Sequence, residues 1–122
     1  MKEDKIKILV IRHNEEPEVV EIENYYKAMQ EIVEGLIEFM PFDKSNPGCE
    51  CLVNEEYLLL QDELGFNRFV QSDYHSVVDG TALIFGVPVF GTFAIVRVNH
   101  ETGECISLTD KDIARYTEKF KL

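Results

Sequence analysis

The chain has 122 residues, of which 45% are hydrophobic and 29% charged, proportions typical of a globular protein and of one domain spanning residues 1–122. Its formal net charge of −11 repels polyanions and disfavours direct nucleic-acid binding. Apolar runs such as 82–85 are too short to cross a bilayer, and the start of the chain lacks the long apolar region of a secretory signal. We therefore expect a cytoplasmic protein without membrane contact.

The negative charge is concentrated near the N-terminus. Eight glutamates and one lysine lie between residues 14 and 38. Such a stretch is typical of a solvated acidic face that keeps a protein soluble. The alternative is that Glu15, Glu16, Glu18 and Glu21 form a surface for a basic protein partner, for example one that normally binds DNA.

The first elements in chain order are a predicted β-hairpin and a helix. Residues 6–12 are β-branched and apolar on both faces, which favours an interior strand. Residues 18–23 alternate, with Val20 and Ile22 on one face and acids on the other. Asn24 is predicted to cap a helix that ends at a left-handed Gly35.

Further strands are predicted at 36–42 and 49–53, separated by the loop "DKSNPG". Residues 55–80 show no clear periodicity. From residue 81 onward three apolar runs separated by glycines indicate strands, and 92–98 is apolar on both faces, as in a central strand. A short strand is expected at 105–108 after the turn "NHETGE".

The C-terminal segment predicts a well-capped helix. Thr109 stands at the N-cap with Asp112 three residues later, which is a variant of the capping box. Leu108 and Ile113 occupy the two positions of a hydrophobic staple. Together these elements predict an α+β domain with a mixed or antiparallel sheet of five or six strands and two main helices packed on it.

Three cysteines raise the question of a metal. Cys49 and Cys51 share one face of a strand, but C-x-C spacing differs from that of common zinc sites, and Cys105 is distant in sequence. We expect small apolar side chains in a reducing compartment, with no metal and no cofactor.

Five residues are candidates for a ligand site: Asn54, Glu55, Glu56, Asn67 and Arg68. The two glutamates point to opposite faces if the strand continues, so a turn beginning at the asparagine is the favoured interpretation. The arginine is expected to form a salt bridge with Glu55 or Glu56, and the alternative is that it grips a carboxylate or phosphate of a ligand.

A D-x-H-x₃-D group lies in the predicted loop 71–80, formed by Asp73, His75 and Asp79. Such a group can bind a cation or position a general base, yet acids and a histidine are also common in solvated loops. No nucleophile or second motif accompanies it, so we assign it no catalytic role.

The segments "PEVVEIENYYKAMQEIVEGLIEF", "NEE", "NR", "GTFAIV" and "SLTDKDIARYTEKF" resemble, in order and context, the domain of unknown function 3846 family. The resemblance extends from about Pro17 to Phe120 and implies a small accessory protein of bacteria, phages or mobile elements, without an established biochemical role. Tyr57 and Leu58 stand where relatives usually carry Gly-Lys, and "LGFNR" replaces a proline-containing turn, so a relative's polar site transfers poorly.

We therefore expect a non-enzymatic accessory protein of a phage or mobile element that acts through a protein partner. The alternative is a small ligand-binding domain or enzyme that uses the five polar residues named above. Assembly into a homo-oligomer is a third possibility.

Overall fold

The computed structural model describes residues 4–72, 77–78, 81–82 and 86–122. The strands are β1 (Lys5–Ile11), β2 (Glu18–Glu23), β3 (Ile37–Pro41), β4 (Cys49–Asn54), β5 (Phe66–Gln71), β6 (Val77–Val78), β7 (Thr81–Ala82), β8 (Gly86–Phe90), β9 (Phe93–Asn99) and β10 (Glu104–Ile106). The helices are α1 (Tyr26–Val33), α2 (Gln61–Leu64) and α3 (Asp110–Phe120). The Asp73, His75 and Asp79 group lies outside the described residues.

Six strands form the main sheet in the order β2-β1-β9-β4-β3, with β10 pairing alongside β9. Each of these pairs is antiparallel. Two small sheets, β5 with β8 and β6 with β7, accompany it. The α+β class is confirmed, whereas the described part of the chain contains three helices instead of the two main helices expected, α2 being a 4-residue turn of helix.

Strand β9 occupies the centre of the main sheet. It pairs with β1 through Leu9↔Ile95, with β4 through Cys51↔Ile95, and with β10 through Cys105↔Val98. Its residues 93–96 are buried on both faces. The structure therefore confirms the prediction that the apolar run 92–98 forms a central strand.

One face of the main sheet, here called the α3 face, is covered by α3 and the β5–β8 hairpin. Every second side chain of β1, β4 and β9 points to this side, and Tyr116 and Phe120 of α3 pack onto these side chains. The buried cluster comprises Leu9, Ile11, Phe42, Cys49, Cys51, Val53, Tyr57, Val70, Val89, Phe93, Ile95, Leu108, Tyr116 and Phe120.

The opposite face, here called the α1 face, is covered by Met29 and Val33 of α1. Its buried cluster comprises Ile6, Ile8, Val10, Met29, Val33, Leu52, Ala94, Val96 and Cys105. Helix α1 has 8 residues, too few for stability in isolation, so its packing and its end contacts hold it in place.

Both predicted ends of α1 are shifted by one residue. Tyr25 is the N-cap and makes no side-chain capping bond, while the Asn24 side chain donates to the Cys105 carbonyl at 3.0 Å. Glu34, with a φ of 59°, takes the left-handed position predicted for Gly35. A Cβ on Gly35 would lie 2.6 Å from Asn54 Nδ2, so the glycine permits close approach of β4 to the helix end.

The predicted start of α3 is confirmed. Thr109 is the N-cap, its hydroxyl accepts from the Asp112 N–H at 3.1 Å, and the Asp112 carboxylate accepts from the Thr109 N–H at 2.8 Å. Leu108 is buried and Ile113 packs against the same cluster, as a hydrophobic staple requires.

Candidate functional site

Arg68 is held on β5 by four hydrogen bonds. Its Nε donates to the Phe120 carbonyl at 3.2 Å, and its Nη2 to the Glu15 carbonyl at 2.6 Å. Its Nη1 donates to the Arg12 carbonyl at 3.1 Å and to Asn67 Oδ1 at 2.8 Å. One guanidinium thus joins β5, the end of α3 and the β1–β2 turn.

These contacts replace the expected salt bridge with Glu55 or Glu56. The acceptors of the Arg68 guanidinium are three main-chain carbonyls and one amide oxygen. Burial lowers the pKa of Arg68 from its ordinary value, and the charge of Glu16 opposes this effect. The prediction that Arg68 pairs with Glu55 or Glu56 was therefore wrong.

Asn67 is buried beside Arg68 and serves the same junction. Its Nδ2 donates to the carbonyls of Ile11 and Gly91, each at 2.9 Å. The side chain therefore links β5 to the end of β1 and to the turn that precedes β9.

Asn54 belongs to a separate network at the end of β4. Its Nδ2 donates to the Val33 and Glu34 carbonyls at 3.1 and 3.4 Å, and its Oδ1 accepts from the Glu56 N–H at 2.8 Å. The buried amide caps the C-terminal end of α1 and begins the turn that the sequence predicts here. Glu55 and Glu56 are exposed in that turn. The five candidate residues are thus divided between two structural networks.

The acidic candidates lie on the β1–β2 turn and on β2, at one edge of the main sheet. Glu15, Glu16, Glu18 and Glu21 are exposed. Glu18 binds Arg12 at 3.1 Å, and Glu16 Oε1 accepts from the Leu122 N–H at 3.1 Å. Alternation along β2 places the side chains of Glu18 and Glu21 on opposite faces of the sheet.

The sequence reasoning missed a buried polar network centred on Asp112. Arg97 of β9 binds this carboxylate with two nitrogens, Nε to Oδ2 at 2.8 Å and Nη2 to Oδ1 at 2.7 Å. Asn46 donates to Asp112 Oδ1 at 2.9 Å and accepts from Arg97 Nη2 at 2.8 Å. A Cβ on Gly48 would collide with Arg97 Nη1, so the glycine in "SNPG" leaves room for the guanidinium.

A second buried carboxylate, Asp43, extends this network. It accepts from the Tyr116 hydroxyl at 2.9 Å, from Arg115 Nη2 at 2.8 Å and from the Ser45 N–H at 3.1 Å. Asn46 Nδ2 lies 3.2 Å from the Tyr116 hydroxyl, which connects the two carboxylates. The loop 43–48 is thereby fastened to α3 and β9.

The electrostatics of this network keep both acids ionised. Burial alone would raise the pKa of Asp112, but hydrogen bonds from Arg97, Thr109 and Asn46 hold it well below its ordinary value. Burial would also raise the pKa of Asp43, but hydrogen bonds from Tyr116 and Arg115 lower it below its ordinary value. The sequence does contain a signal of this network. Arg97 is the charged residue inside the apolar run "TFAIVRV", and a charge in a central strand needs a partner because it is removed from water.

The cysteines are divided between the two faces of the main sheet. Cys49 and Cys51 belong to the α3 face and Cys105 to the α1 face, so the three thiols do not converge on one metal ion. Burial raises the pKa of Cys49 to about 12 and raises that of Cys51 as well. Among the residues that the structure describes, no group of three or more metal-ligating side chains lies together.

A small cavity that the sequence reasoning did not anticipate opens where α1 begins. It measures about 190 Å³ and lies between the start of α1, β3 and the start of β10. Its lining residues are Asn24, Tyr25, Tyr26, Met29, Phe39, Gly103, Glu104 and Cys105. A small, partly apolar cavity lined by aromatic residues is suited to binding a side chain or a small ligand.

Within the described ranges, no helix is long and apolar enough to span a membrane.

Neither a curated protein nor a solved structure matches the chain. A family model does match: that of Domain of unknown function (DUF3846), over residues 6–121. Because this match covers nearly the whole chain, the protein belongs to the DUF3846 family.

Proposed function

We propose that the protein is a non-enzymatic accessory protein that binds a basic protein partner along the β2 edge of its main sheet. The observation that carries the proposal is the composition of this edge. Strand β2 ends the strand order of the sheet, carries Glu18, Glu21 and Glu23, and follows directly on the exposed Glu15 and Glu16. An edge strand offers main-chain donors and acceptors to a partner, and its acids select a basic one.

Cationic side chains lie along this edge, among them Lys7, which faces Glu21 in the β1–β2 register. Arg12 lies 3.1 Å from Glu18, and Lys5 lies 3.9 Å from Glu23. Both are solvent-exposed pairs of the kind that contribute little free energy, so a partner's cations can displace them at small cost. We propose that the acids of the edge, once released from these pairs, bind the cations of a basic partner.

The polar side chains that could act in an enzyme instead form structural contacts with other described residues. Arg68, Asn67 and Asn54 bind main-chain carbonyls. The buried acids Asp43 and Asp112 each bind an arginine. This use supports a binding role, and it makes a ligand site at Asn54, Glu55, Glu56, Asn67 and Arg68 the weaker of the two proposals.

We extend the proposal to the setting of the protein. The family resemblance implies bacteria, phages and mobile elements, so we propose a partner from the host or from the element, in particular a protein that handles DNA. The three free cysteines suit a reducing cytoplasm, where we propose that the protein acts.

The experiment is affinity purification of the tagged full chain from its native host, with washes of rising salt. We expect one stoichiometric basic partner that is released between about 0.1 and 0.5 M salt, where screening of exposed charges becomes strong. Replacing Glu15, Glu16, Glu18 and Glu21 by glutamine should remove the partner.

The matched control replaces four exposed glutamates elsewhere, Glu55, Glu56, Glu63 and Glu101, by glutamine. This variant changes the net charge equally, so it should keep the partner. Equal loss in both variants would show a non-specific charge effect, and retention in the first variant would refute binding along β2.

A further inference from the structure

Strand β3 is the edge of the main sheet opposite β2, and the register shows which of its main-chain groups point outward. Among the strands that the structure describes, β3 pairs with β4 alone. The Glu55 N–H donates to the Leu36 carbonyl at 2.8 Å, so this opposed pair is hydrogen-bonded. Because bonded and non-bonded pairs alternate in an antiparallel ladder, the main-chain groups of Ile37, Phe39 and Pro41 point away from β4.

Two further observations agree with this assignment. A proline within a strand is tolerated where its missing N–H faces away from the sheet, and Pro41 occupies such a position. On the other side of β4, the Val98 N–H donates to the Gly48 carbonyl at 2.7 Å. The even-numbered residues of β4 therefore bond to β9 and the odd-numbered residues to β3. The outer edge of β3 thus carries main-chain donors and acceptors without a partner strand in the described part of the chain.

The side chains of β3 differ from those of the other edge strand. Three of the six residues of β2 are glutamates, and such a row of acids opposes pairing of β2 with a copy of itself. Strand β3 has 5 residues and carries one charged side chain, that of Glu38. The β3 edge is therefore better suited than β2 to pairing with an identical strand.

We infer that β3 pairs antiparallel with β3 of a second copy of the chain, with the two Phe39 residues opposite each other. In this register each Phe39 N–H donates to the Phe39 carbonyl of the other copy, and each Ile37 N–H donates to the Pro41 carbonyl of the other copy. Glu38 then faces Met40 of the second copy. A register centred on Glu38 would instead place two carboxylates directly opposite each other, which is destabilising.

A cation on the same face of the sheet complements this register. Met40 packs against the buried cluster of the α3 face, and Glu38, two residues earlier, points to the same side. Lys119 of α3 is exposed, and its Nζ lies 5.4 Å from the centroid of the Phe42 ring. In the inferred dimer, Glu38 of the second copy lies diagonally across from Phe42, with about 7–8 Å between the Cα atoms. Lys119 therefore reaches that carboxylate, and the two-fold symmetry of the dimer repeats the ion pair.

The dimer should be weak, and it goes beyond the proposed function. Pairing along an edge of 5 residues should bury less area than the about 1,200–2,000 Å² of stable interfaces. Strands β3 and β2 stand at opposite ends of the strand order, so the dimer leaves the β2 edge of each copy open. Dimerisation through β3 and binding of a basic partner along β2 can therefore succeed or fail separately.

The first test uses the unmodified full chain from about 10 µM to about 1 mM, a range that brackets a dissociation constant on the order of 10–100 µM. Sedimentation equilibrium should show a mass that rises from 14.1 kDa towards twice that value. Amide exchange followed by NMR should slow at Ile37 and Phe39 as the concentration rises. The amides of Glu38 and Met40, which face β4, should be protected at every concentration.

A charge exchange tests the register. Glu38→Lys and Lys119→Glu should each weaken the dimer about ten-fold, because each replaces two ion pairs per dimer by like charges. The variant that carries both substitutions should restore the dimer. Glu101→Lys and Lys111→Glu make the same changes of charge at exposed positions outside the inferred interface, so they should dimerise as the unmodified chain does.

Three outcomes would overturn the inference. A mass of one chain over the whole concentration range would show that no dimer forms. A dimer unaffected by Glu38→Lys and by Lys119→Glu would use another surface, and weakening without restoration in the double variant would exclude the register centred on Phe39. If a variant fails to fold, amide exchange of the unmodified chain still decides, since exchange at Phe39 that does not change with concentration contradicts pairing through β3.

Discussion

At the scale of single residues, the pair Arg97 and Asp112 is the most consequential contact. The Asp112 side chain is 4% exposed and the Arg97 side chain 23% exposed, and two hydrogen bonds join them. A buried charge that loses its partner is strongly destabilising, whereas the intact pair contributes little net free energy because both groups are desolvated. The pair thus orients β9 against α3 more than it adds stability.

We predict that Asp112→Asn lowers the free energy of unfolding at pH 7 by about 3 kcal/mol, because Arg97 then lacks its counter-charge. Since the folded-state pKa of Asp112 is held below its ordinary value of 3.8, the unfolded chain binds more protons at low pH. The contribution of Asp112 is therefore present above about pH 4 and is lost as the pH falls further.

Urea unfolding followed by circular dichroism from pH 7 to pH 2 measures both effects. The difference in free energy of unfolding between Asp112→Asn and the unmodified protein should narrow below about pH 4. Asp110→Asn, at an exposed position in the same first turn of α3, is the control and should cost less than about 1 kcal/mol. A difference in unfolding free energy that stays constant from pH 7 to pH 2 would show that Asp112 does not titrate as described.

At the scale of elements, helix α1 depends on a residue from another element. The amide of Asn54, at the end of β4, donates to two carbonyls at the C-terminal end of α1. Glu34 takes a left-handed conformation there, which is unfavourable for a residue with a Cβ. The helix end is thus stabilised by β4 in addition to the main-chain bonds from Glu34 and Gly35 to the Gln30 carbonyl.

Accordingly, Asn54→Ala should lower the free energy of unfolding by about 1–3 kcal/mol, the range for leaving a buried polar group unsatisfied. Amide exchange in the last turn of α1 should accelerate more than exchange in β9. Glu55→Ala, at the exposed next position, should change stability by less than about 0.5 kcal/mol. Equal effects of the two substitutions would contradict the capping role.

How much the sequence predicts also differs between elements. Strands β1, β2 and β9 and the start of α3 were predictable because alternation and the Thr109–Asp112 capping box are local patterns. The partners of Asn54 and Arg68 were not, because main-chain carbonyls have no side-chain signature in the sequence. The cavity also escaped prediction, since Tyr26 and Glu104 are brought together only by the sheet topology.

At the scale of the whole molecule, Arg68 joins parts of the chain that are far apart in sequence. Its guanidinium binds carbonyls of residues 12, 15 and 120, and the neighbouring Asn67 binds those of 11 and 91. The β5–β8 hairpin is thereby attached to the main sheet and to α3 by polar contacts as well as by the buried Val70 and Val89.

We predict that Arg68→Ala lowers the free energy of unfolding by at least about 2 kcal/mol, since several charge-assisted hydrogen bonds are lost together. Exchange of amide protons in β5 and β8 should accelerate more than exchange in β1. Lys111→Ala, which removes a positive charge from an exposed position of α3, should have little effect. An unchanged stability for Arg68→Ala would favour the alternative role of this residue in binding a ligand.

The central position of β9 has a consequence for synthesis of the chain. Strands β1 and β4 do not pair with each other, and both pair with β9, which lies 39 residues beyond the end of β4. The growing chain therefore holds two apolar half-sheets, β1–β2 and β3–β4, without the strand that joins them. At about 5–20 residues per second this interval lasts about 2–8 s, during which unpaired strand edges are open to wrong pairing and to chaperones.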